Sequence, residues 1–282
     1  MGRLFKAFFF KLSRDWTFRI TLIIGAAIAI IMTLIYLFMD HIIGAEEGSY
    51  YLTGQTMLIN SMSPAQNFGL AIPINLVTFV ALEFSQGTIR NKIIAGHSKF
   101  RIYASLFLTG LVFCFALLIT YLLICTGLGS IFGGFDLSKK LITGLLAFDI
   151  RYNWEYILKM LAICFVTYVC IVSFTVFVTT LLRHVGPCIP IVLIVIVMLY
   201  SITSVWPLAS VLIEDEKLLK TIETTVAIAD PLFGLSAGTT TTQAGYAAVE
   251  NRVFILTIAS NLIYASAFFA GGALIFSKRD VK

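Results

Sequence analysis

Six stretches of about 20 residues or more run through the chain without a single charged side chain. They cover residues 20–39, 64–82, 102–127, 160–182, 185–206 and 253–276. A helix needs about 20 apolar residues to cross a hydrocarbon core roughly 30 Å thick. The pattern therefore predicts an all-α polytopic membrane protein with six transmembrane helices, built as a single membrane domain over residues 1–282.

Composition supports this class. Of the 282 residues, 59% are hydrophobic and 12% are charged, whereas soluble domains carry roughly 25% charged residues. This balance excludes a water-soluble enzyme, a disulfide-stapled secreted module and a disordered tail. The first stretch is also longer than the apolar region of a cleaved signal peptide, about 7 to 15 residues, so we expect it to be a retained span.

The distribution of charge predicts the orientation. Thirteen of the 20 Lys and Arg residues lie in the two termini and in the loops after the second and fourth stretches, together with three acidic residues. The other loops hold seven basic and twelve acidic residues. The positive-inside rule places both termini in the cytoplasm of a multi-pass protein of the cell membrane. The formal charge of +5 is thus an orientation signal, and no nucleic-acid partner is expected.

The first residues predict an amphipathic helix. Residues 3–16, projected at 100° per residue, separate a basic face from an apolar one. The apolar face is carried by Phe5, Phe8, Phe9, Leu12 and Trp16. Such a helix lies on the membrane surface, with its apolar face toward lipid and its basic face toward anionic headgroups. The alternative is a basic leader that only orients the first span.

The loop after the second stretch contains a short motif. An acid ends the span, a glycine permits a sharp turn, Thr88 can cap a new helix, and an apolar stripe alternates with basic residues up to Gly96. The motif residues are Glu83, Gly87, Thr88, Ile89, Arg90, Asn91, Lys92 and Ile93. The pattern predicts a helix of about two turns over 87–96, with Arg90 and Lys92 in the cytoplasm and the stripe available to a groove in a partner protein.

This motif, the second polar patch at Ser98 and Lys99 and the six-span layout resemble type-2 ATP-binding cassette exporter permeases, most closely the bacitracin-resistance, lantibiotic-immunity and phenol-soluble-modulin exporter permeases. The resemblance implies that 87–96 is a coupling helix seated in a separate P-loop ATPase, and that two permease copies pair with two ATPases. Many relatives carry a Lys near the start of the third span, where this chain has Ser105. Either this chain lacks the function of that Lys, or Lys99 or Arg101 performs it.

No catalytic, cofactor-binding or metal site is predicted in the chain. It has no Gly-x-x-x-x-Gly-Lys-Ser/Thr phosphate loop and no HExxH motif, so ATP and magnesium are expected in the partner ATPase and this chain is expected to be a transport subunit. The five cysteines lie in or at the start of spans and are expected to pack there.

The second stretch is the most polar and is the candidate pathway helix. Asn67, Asn75 and Thr78 share one helical face, and Pro73 is expected to kink the helix. Polar side chains in a bilayer also serve to hold helices together. The sequence leaves both roles open for this face.

The function predicted is export of an amphipathic or hydrophobic peptide, either a toxin or an antimicrobial peptide. The alternatives are a non-transporting scaffold or regulatory subunit and an ion-coupled secondary transporter. The second alternative is disfavoured because none of the six stretches holds an acid or a base. The long segment 207–252 begins with an acidic, helix-like stretch and breaks at Asp230 and Pro231. In relatives this region re-enters the membrane and gates the exit; the alternative is a solvated loop whose acids face outward.

Overall fold

Ten helices and five short strands make up the described part of the chain. The computed structural model describes residues 2–43, 49–50, 52–63, 69, 71–135, 140–143, 148–213, 215–232, 239–241 and 247–278. The helices are α1 Gly2–Arg14, α2 Trp16–Ile43, α3 Gly54–Met62, α4 Ala71–Ser85, α5 Thr88–Ile94, α6 Lys99–Gly133, α7 Trp154–Leu182, α8 Val185–Leu212, α9 Glu216–Ala229 and α10 Asn251–Lys278.

Five of these helices, α2, α6, α7, α8 and α10, are long and apolar enough to cross a membrane. Helices α4 and α5 together reach the same length and hydropathy, but they bend by 53° at the break between them. The protein is therefore a multi-pass, all-α membrane protein, which confirms the predicted fold class.

The helix of the second predicted stretch begins later than expected. The predicted uninterrupted helix over 64–82 is wrong, because α3 ends at Met62 and α4 begins at Ala71. Pro73 lies in the first turn of α4, where its missing N–H removes no helical hydrogen bond. It therefore helps to begin a helix, and the predicted kink is also wrong. Residues 64–68, including Asn67, lie outside the described residues.

The core lies between α4, α6, α7 and α10. Helix α10 packs along α7, α2 and α3 pack on α6, and α4 packs against α7 and α8. At one end of the bundle, Lys11 of α1 pairs with Glu83 of α4, and Lys99 Nζ of α6 donates to the backbone oxygen of Ser277 in α10 over 3.0 Å. We term this the basic end and the opposite one the acidic end, after the charges of the loops there.

Short strands occur in the segments at the acidic end. β1 Ser49–Tyr50 pairs in parallel with β2 Lys140–Thr143, which pairs antiparallel with β3 Phe148–Ile150. β4 Thr239–Thr241 and β5 Ala247–Val249 form an antiparallel pair. The sequence analysis did not predict them, since strands of two to four residues are too short to show a period of two.

Two glycines of α6 allow the N-terminal end of α3 to approach closely. A Cβ atom at Gly133 would overlap the backbone oxygen of Leu52, and one at Gly129 would lie 2.7 Å from Cγ of Met57. Small residues four positions apart commonly form such contacts between membrane helices. Gly129 and Gly133 therefore fix the position of α3 on α6.

The exchange Gly133→Ala should destabilise the protein by about 2 kcal/mol, because the added methyl group has no space in this overpacked contact. Thermal unfolding of the purified protein in detergent, followed by intrinsic fluorescence, should show a midpoint several degrees lower. Gly127→Ala is the matched control on the same helix, since a Cβ atom there meets nothing within 4 Å. Equal midpoints for the two variants would contradict the assigned packing role.

Candidate functional site

Glu83, near the end of α4, joins three helices at the basic end. Its side chain is 0% exposed, with Lys11 Nζ of α1 2.6 Å from Oε1 and Lys92 Nζ of α5 3.1 Å from Oε2. Lys11 also donates to the side-chain oxygen of Gln86 over 3.2 Å. A buried carboxylate requires such partners, because taking a charge out of water costs several kcal/mol. We term Glu83, Lys11 and Lys92 the basic-end junction.

The ring of Phe8 closes the junction on the side of α1. Lys92 Nζ lies 3.1 Å from the centroid of this ring, a cation–π contact that substitutes for part of the lost hydration. Burial lowers the pKa of Lys92 below its usual value, and the Glu83 carboxylate acts in the opposite direction. One carboxylate faces two ammonium groups, so the junction carries an excess positive charge.

Two glycines define the ends of α5. Gly87 has a φ of 66° and occupies the N-cap position, so the prediction that Thr88 caps the helix is wrong: Thr88 is its first residue. Gly96 has a φ of 85°, and the backbone N–H groups of Gly96 and His97 donate to the carbonyls of Ile93 and Lys92. This Schellman arrangement ends the helix. The predicted helix over 87–96 is therefore confirmed as a seven-residue helix, Thr88–Ile94.

The surface that α5 presents differs from the predicted stripe. Ile89 is buried and Ile93 packs partly against the core, whereas Ile94 is 74% exposed. Arg90 and Asn91 are also exposed. The prediction that the whole apolar stripe is available to a partner is corrected: Ile89 packs in the core and Lys92 pairs with Glu83, so both bind α5 to its own bundle. The face left for a partner consists of Arg90, Asn91 and Ile94.

Helix α1 has two apolar surfaces. Phe8 and Leu12 are buried in the protein core, which corrects the prediction that they face lipid. Phe9 and Trp16, the latter being the first residue of α2, are exposed, and Phe5 stacks on Phe9 with 6.2 Å between ring centroids. The helix is therefore docked on the bundle by one part of its apolar face, and the remaining aromatic residues stay available to the membrane surface.

The candidate pathway residues of α4 bond within their own helix. Asn75 Nδ2 donates to the carbonyl of Ala71 over 2.8 Å, and the Thr78 hydroxyl donates to Ile74 over 2.9 Å. Both side chains are half-buried. Their assignment to a pathway stays a prediction.

Ser105, near the start of α6, is internal. Ser105 is buried, and its hydroxyl donates to the carbonyl of Arg101 over 2.7 Å. Lys99 reaches the end of α10, and Arg101 is exposed. Of the two basic residues considered as substitutes, Lys99 thus contacts α10 and Arg101 stays at the surface.

At the other side of the molecule, the chain after α9 turns back into the bundle. Thr167 Oγ1 of α7 and Asn261 Nδ2 of α10 donate to the carbonyl of Pro231 over 3.2 and 3.1 Å. Thr167 lies near the middle of α7, roughly 20 Å from its first residue. The segment 230–232, which we term the re-entrant turn, therefore reaches far into the helical bundle.

This turn carries an acid inward. Asp230 is 2% exposed; its Oδ2 accepts from the hydroxyl of Thr203 in α8 over 2.6 Å, and its Oδ1 accepts from the backbone N–H of Leu232 over 2.9 Å. Among the described residues, no Lys, Arg or His forms an ion pair with it. An ionisable side chain at such depth is costly and marks a functional position by default.

An apolar cavity of about 200 Å³ lies beside the re-entrant turn. Its walls come from α7, α8, α10 and the turn itself, and include Cys170, Phe174, Leu199, Tyr264, Pro231 and Leu232. All five cysteines of the chain are free and buried, in keeping with the expected packing role. The cavity can accept only an apolar group, because its lining offers almost no hydrogen-bonding atoms.

The sequence left the segment around Asp230 open between a re-entrant element and a solvated loop, and Asp230 was not among the predicted site residues. A signal was nevertheless present: between Glu223 and Glu250, Asp230 is the only charged residue, and it interrupts an otherwise apolar run over 226–235. A run of ten residues is too short to span a bilayer but long enough to enter one.

The match to a protein family covers most of this architecture. A family model described as a protein of unknown function, DUF2705, matches residues 26–282. The chain belongs to the DUF2705 family. Within this family match lie Glu83, Lys92, the whole of α5 and the re-entrant turn, whereas α1 precedes it. No curated protein matches the chain.

Proposed function

We propose that this protein is the membrane-spanning permease subunit of an ATP-binding cassette exporter that moves amphipathic or hydrophobic peptides, driven by a separate P-loop ATPase. ATP and magnesium would be held by that ATPase, and this chain would perform no covalent chemistry. Two permease copies and two ATPases would form the complete exporter in the cell membrane, with both termini in the cytoplasm.

The observation that carries the proposal is the basic-end junction. A force applied to the exposed face of α5 reaches α4 through the Lys92–Glu83 pair and reaches α1 through Phe8 and Lys11. Since these contacts are short and meet at the buried Glu83 carboxylate, α1, α4 and α5 would move as one rigid body. This is the linkage that a coupling helix needs in order to pass closure of an ATPase to a membrane helix.

The acidic end supports an exporter with an apolar cargo. The re-entrant turn and the neighbouring cavity of about 200 Å³ form an apolar surface within the bundle, which fits the hydrophobic part of a peptide. Displacement of the turn would change access to this surface from the acidic end. The outward direction of transport and the identity of the cargo as a toxin or antimicrobial peptide follow from the resemblance to peptide exporter permeases.

Arg90→Glu should weaken the association with the partner ATPase at least tenfold, because it reverses a charge on the exposed face of α5. The partner to test is any P-loop ATPase found in a neighbouring reading frame or recovered with the protein in mild detergent, and the assays are co-purification and ATP hydrolysis in vesicles. Lys278→Glu is the matched control, since it reverses an exposed charge at the same end of the bundle but on α10.

Equal binding of wild-type protein, Arg90→Glu and Lys278→Glu would contradict the role of α5. Peptide movement into vesicles by the chain alone, with no ATPase present, would overturn the exporter assignment. A stable complex that hydrolyses ATP but moves no peptide would favour a scaffold or regulatory subunit.

Buried Asp230 favours a second candidate, an ion-coupled secondary transporter. The sequence argument against such a carrier was the lack of an acid in the apolar stretches, and the burial of Asp230 among α7, α8 and α10 weakens it. If the protein is an ion-coupled carrier, a pH gradient across vesicles without nucleotide would drive peptide uptake. If it is the ATP-driven exporter, peptide uptake would be the same with and without the gradient.

A further inference from the structure

We propose that the groove between α2 and α4 at the basic end binds one anionic phospholipid. A cleft of about 510 Å³ opens between the junction of α1 and α2 and the final turns of α4. A second cleft of about 250 Å³ continues from it between α2 and α4. Trp16 lines both clefts, so the two together form one groove.

The polar end of this groove suits an anionic headgroup. Lys11 and Arg14 line it, and Asp15 is the carboxylate beside them. The Asp15 carboxylate accepts a hydrogen bond from the backbone N–H of Thr17 over 3.0 Å, which ties it to the start of α2. Among the described residues Arg14 makes no ion pair, and Lys11 shares Glu83 with Lys92. The lining therefore carries a net positive charge.

The remainder of the groove suits an acyl chain. Leu82, Phe79, Asn75 and Ala71 line successive turns of one face of α4, over a length of roughly 16 Å. This length is about half of a hydrocarbon core roughly 30 Å thick, that is, one leaflet. The opposite wall consists of α2 residues, namely Thr17, Ile20, Thr21 and Ile24. The polar side chains of Thr21 and Asn75 donate to carbonyls of their own helices.

Length and charge both disfavour a second copy of the chain as the occupant. A transmembrane helix of another copy would extend through both leaflets, beyond the end of the groove. At the basic end a copy would bring only three acids, Asp15, Glu83 and Asp280, and Glu83 is buried in the junction. A phospholipid phosphate supplies the missing negative charge at the right level.

Quenching of Trp16 fluorescence tests the assignment. The chain has three tryptophans, and changing the other two, Trp154 and Trp206, to Phe leaves Trp16 as the single tryptophan that is observed. The full-length protein is placed in phosphatidylcholine vesicles that contain increasing fractions of acyl-brominated phosphatidylglycerol or acyl-brominated phosphatidylcholine. Brominated phosphatidylglycerol should quench Trp16 at a severalfold lower mole fraction than brominated phosphatidylcholine.

Arg14→Gln should reduce this preference by on the order of fivefold. Arg14→Lys should preserve it, and Lys6→Gln is the matched control, since Lys6 is an exposed cation on the same helix outside the groove. Equal quenching by the two lipids would mean ordinary contact with the bilayer and would overturn the assignment. Absence of quenching by either lipid would mean that protein covers the groove, as in a dimer of this chain, and would also overturn it. No ATPase or nucleotide is present, so the result is independent of the proposed exporter function.

Discussion

Replacing Glu83 with Gln is expected to lower the free energy of unfolding by about 3 kcal/mol and to detach α1 from the bundle. The exchange removes the one carboxylate that Lys11 and Lys92 share, and it leaves Lys92 buried against the ring of Phe8 without a counter-charge. Thermal unfolding in detergent measures the loss of stability. Cleavage by trypsin after Lys11 or Arg14 reports the release of α1.

Glu155→Gln provides the matched control in the same chain. Glu155 also pairs with a lysine at 2.6 Å, but its side chain is 70% exposed, and the lysine keeps Asn251 and the carbonyl of Val249 as partners. An exposed pair contributes less than about 1 kcal/mol. The double variant Glu83→Gln with Lys92→Met should recover part of the lost stability, since the buried charge is then removed as well.

Similar losses for Glu83→Gln and Glu155→Gln would contradict the structural role of the junction. The junction is also expected to affect coupling: Glu83→Gln should lower ATP-driven transport more strongly than it lowers ATPase binding, because the exposed face of α5 is unchanged. Equal effects on both would mean that the partner contacts Glu83 or its lysines directly.

The second large effect is expected at the re-entrant turn. Asp230→Ala should lower the free energy of unfolding by about 3 kcal/mol, because the buried hydroxyl of Thr203 and the backbone N–H of Leu232 lose their acceptor, and each such buried group costs about 1 to 3 kcal/mol. In Asp230→Asn the amide oxygen still accepts from the Leu232 N–H, and the amide NH2 donates to the Thr203 hydroxyl oxygen in a bond of reversed direction. This exchange should therefore cost less than about 1 kcal/mol. Thermal unfolding of the two variants measures this difference.

Transport separates the two candidate functions at the same residue. In an ATP-driven exporter, Asp230→Asn should retain most of the activity, since the amide holds the turn and has no need to exchange a proton. In an ion-coupled carrier, Asp230→Asn should abolish uptake driven by a pH gradient while thermal stability stays near that of the wild type. Loss of ATP-driven transport in stable Asp230→Asn protein would show that the charge itself is required.

Local patterns explain why much of the fold was predictable. The long helices follow from runs of apolar residues whose length matches a bilayer at 1.5 Å per residue. The turns around α5 follow from Gly87 and Gly96, whose positive φ angles suit a residue without a side chain. The start of α4 was predicted wrongly. The residues before Ala71 have the composition of a membrane span, but α4 begins only at Ala71, and an apolar composition does not show where a helix starts.

The candidate site was predictable only in part, for a related reason. The motif placed α5 at the surface, but it gave no indication that Lys92 turns inward to Glu83 and Phe8 while Ile94 remains outside. A helix of seven residues has only about two turns. This is too few to show which of its faces is buried without knowledge of the neighbouring helices. Similarly, the sequence left the segment of Asp230 open between a re-entrant element and a solvated loop, because its bond to Thr203 of α8 and the bonds of Pro231 to α7 and α10 form only in the folded chain.

The chain alone thus specifies a bundle of membrane helices, the charge difference between its two ends and the positions of its sharp turns, because each depends on residues within a few positions of one another. The pairing of Lys11 with Glu83 joins residues 72 positions apart, and the bond between Thr203 and Asp230 joins residues 27 apart. Such contacts exist only after the helices have packed. Burial of a charge depends on everything around it, and for that reason these two sites became visible only in the folded molecule.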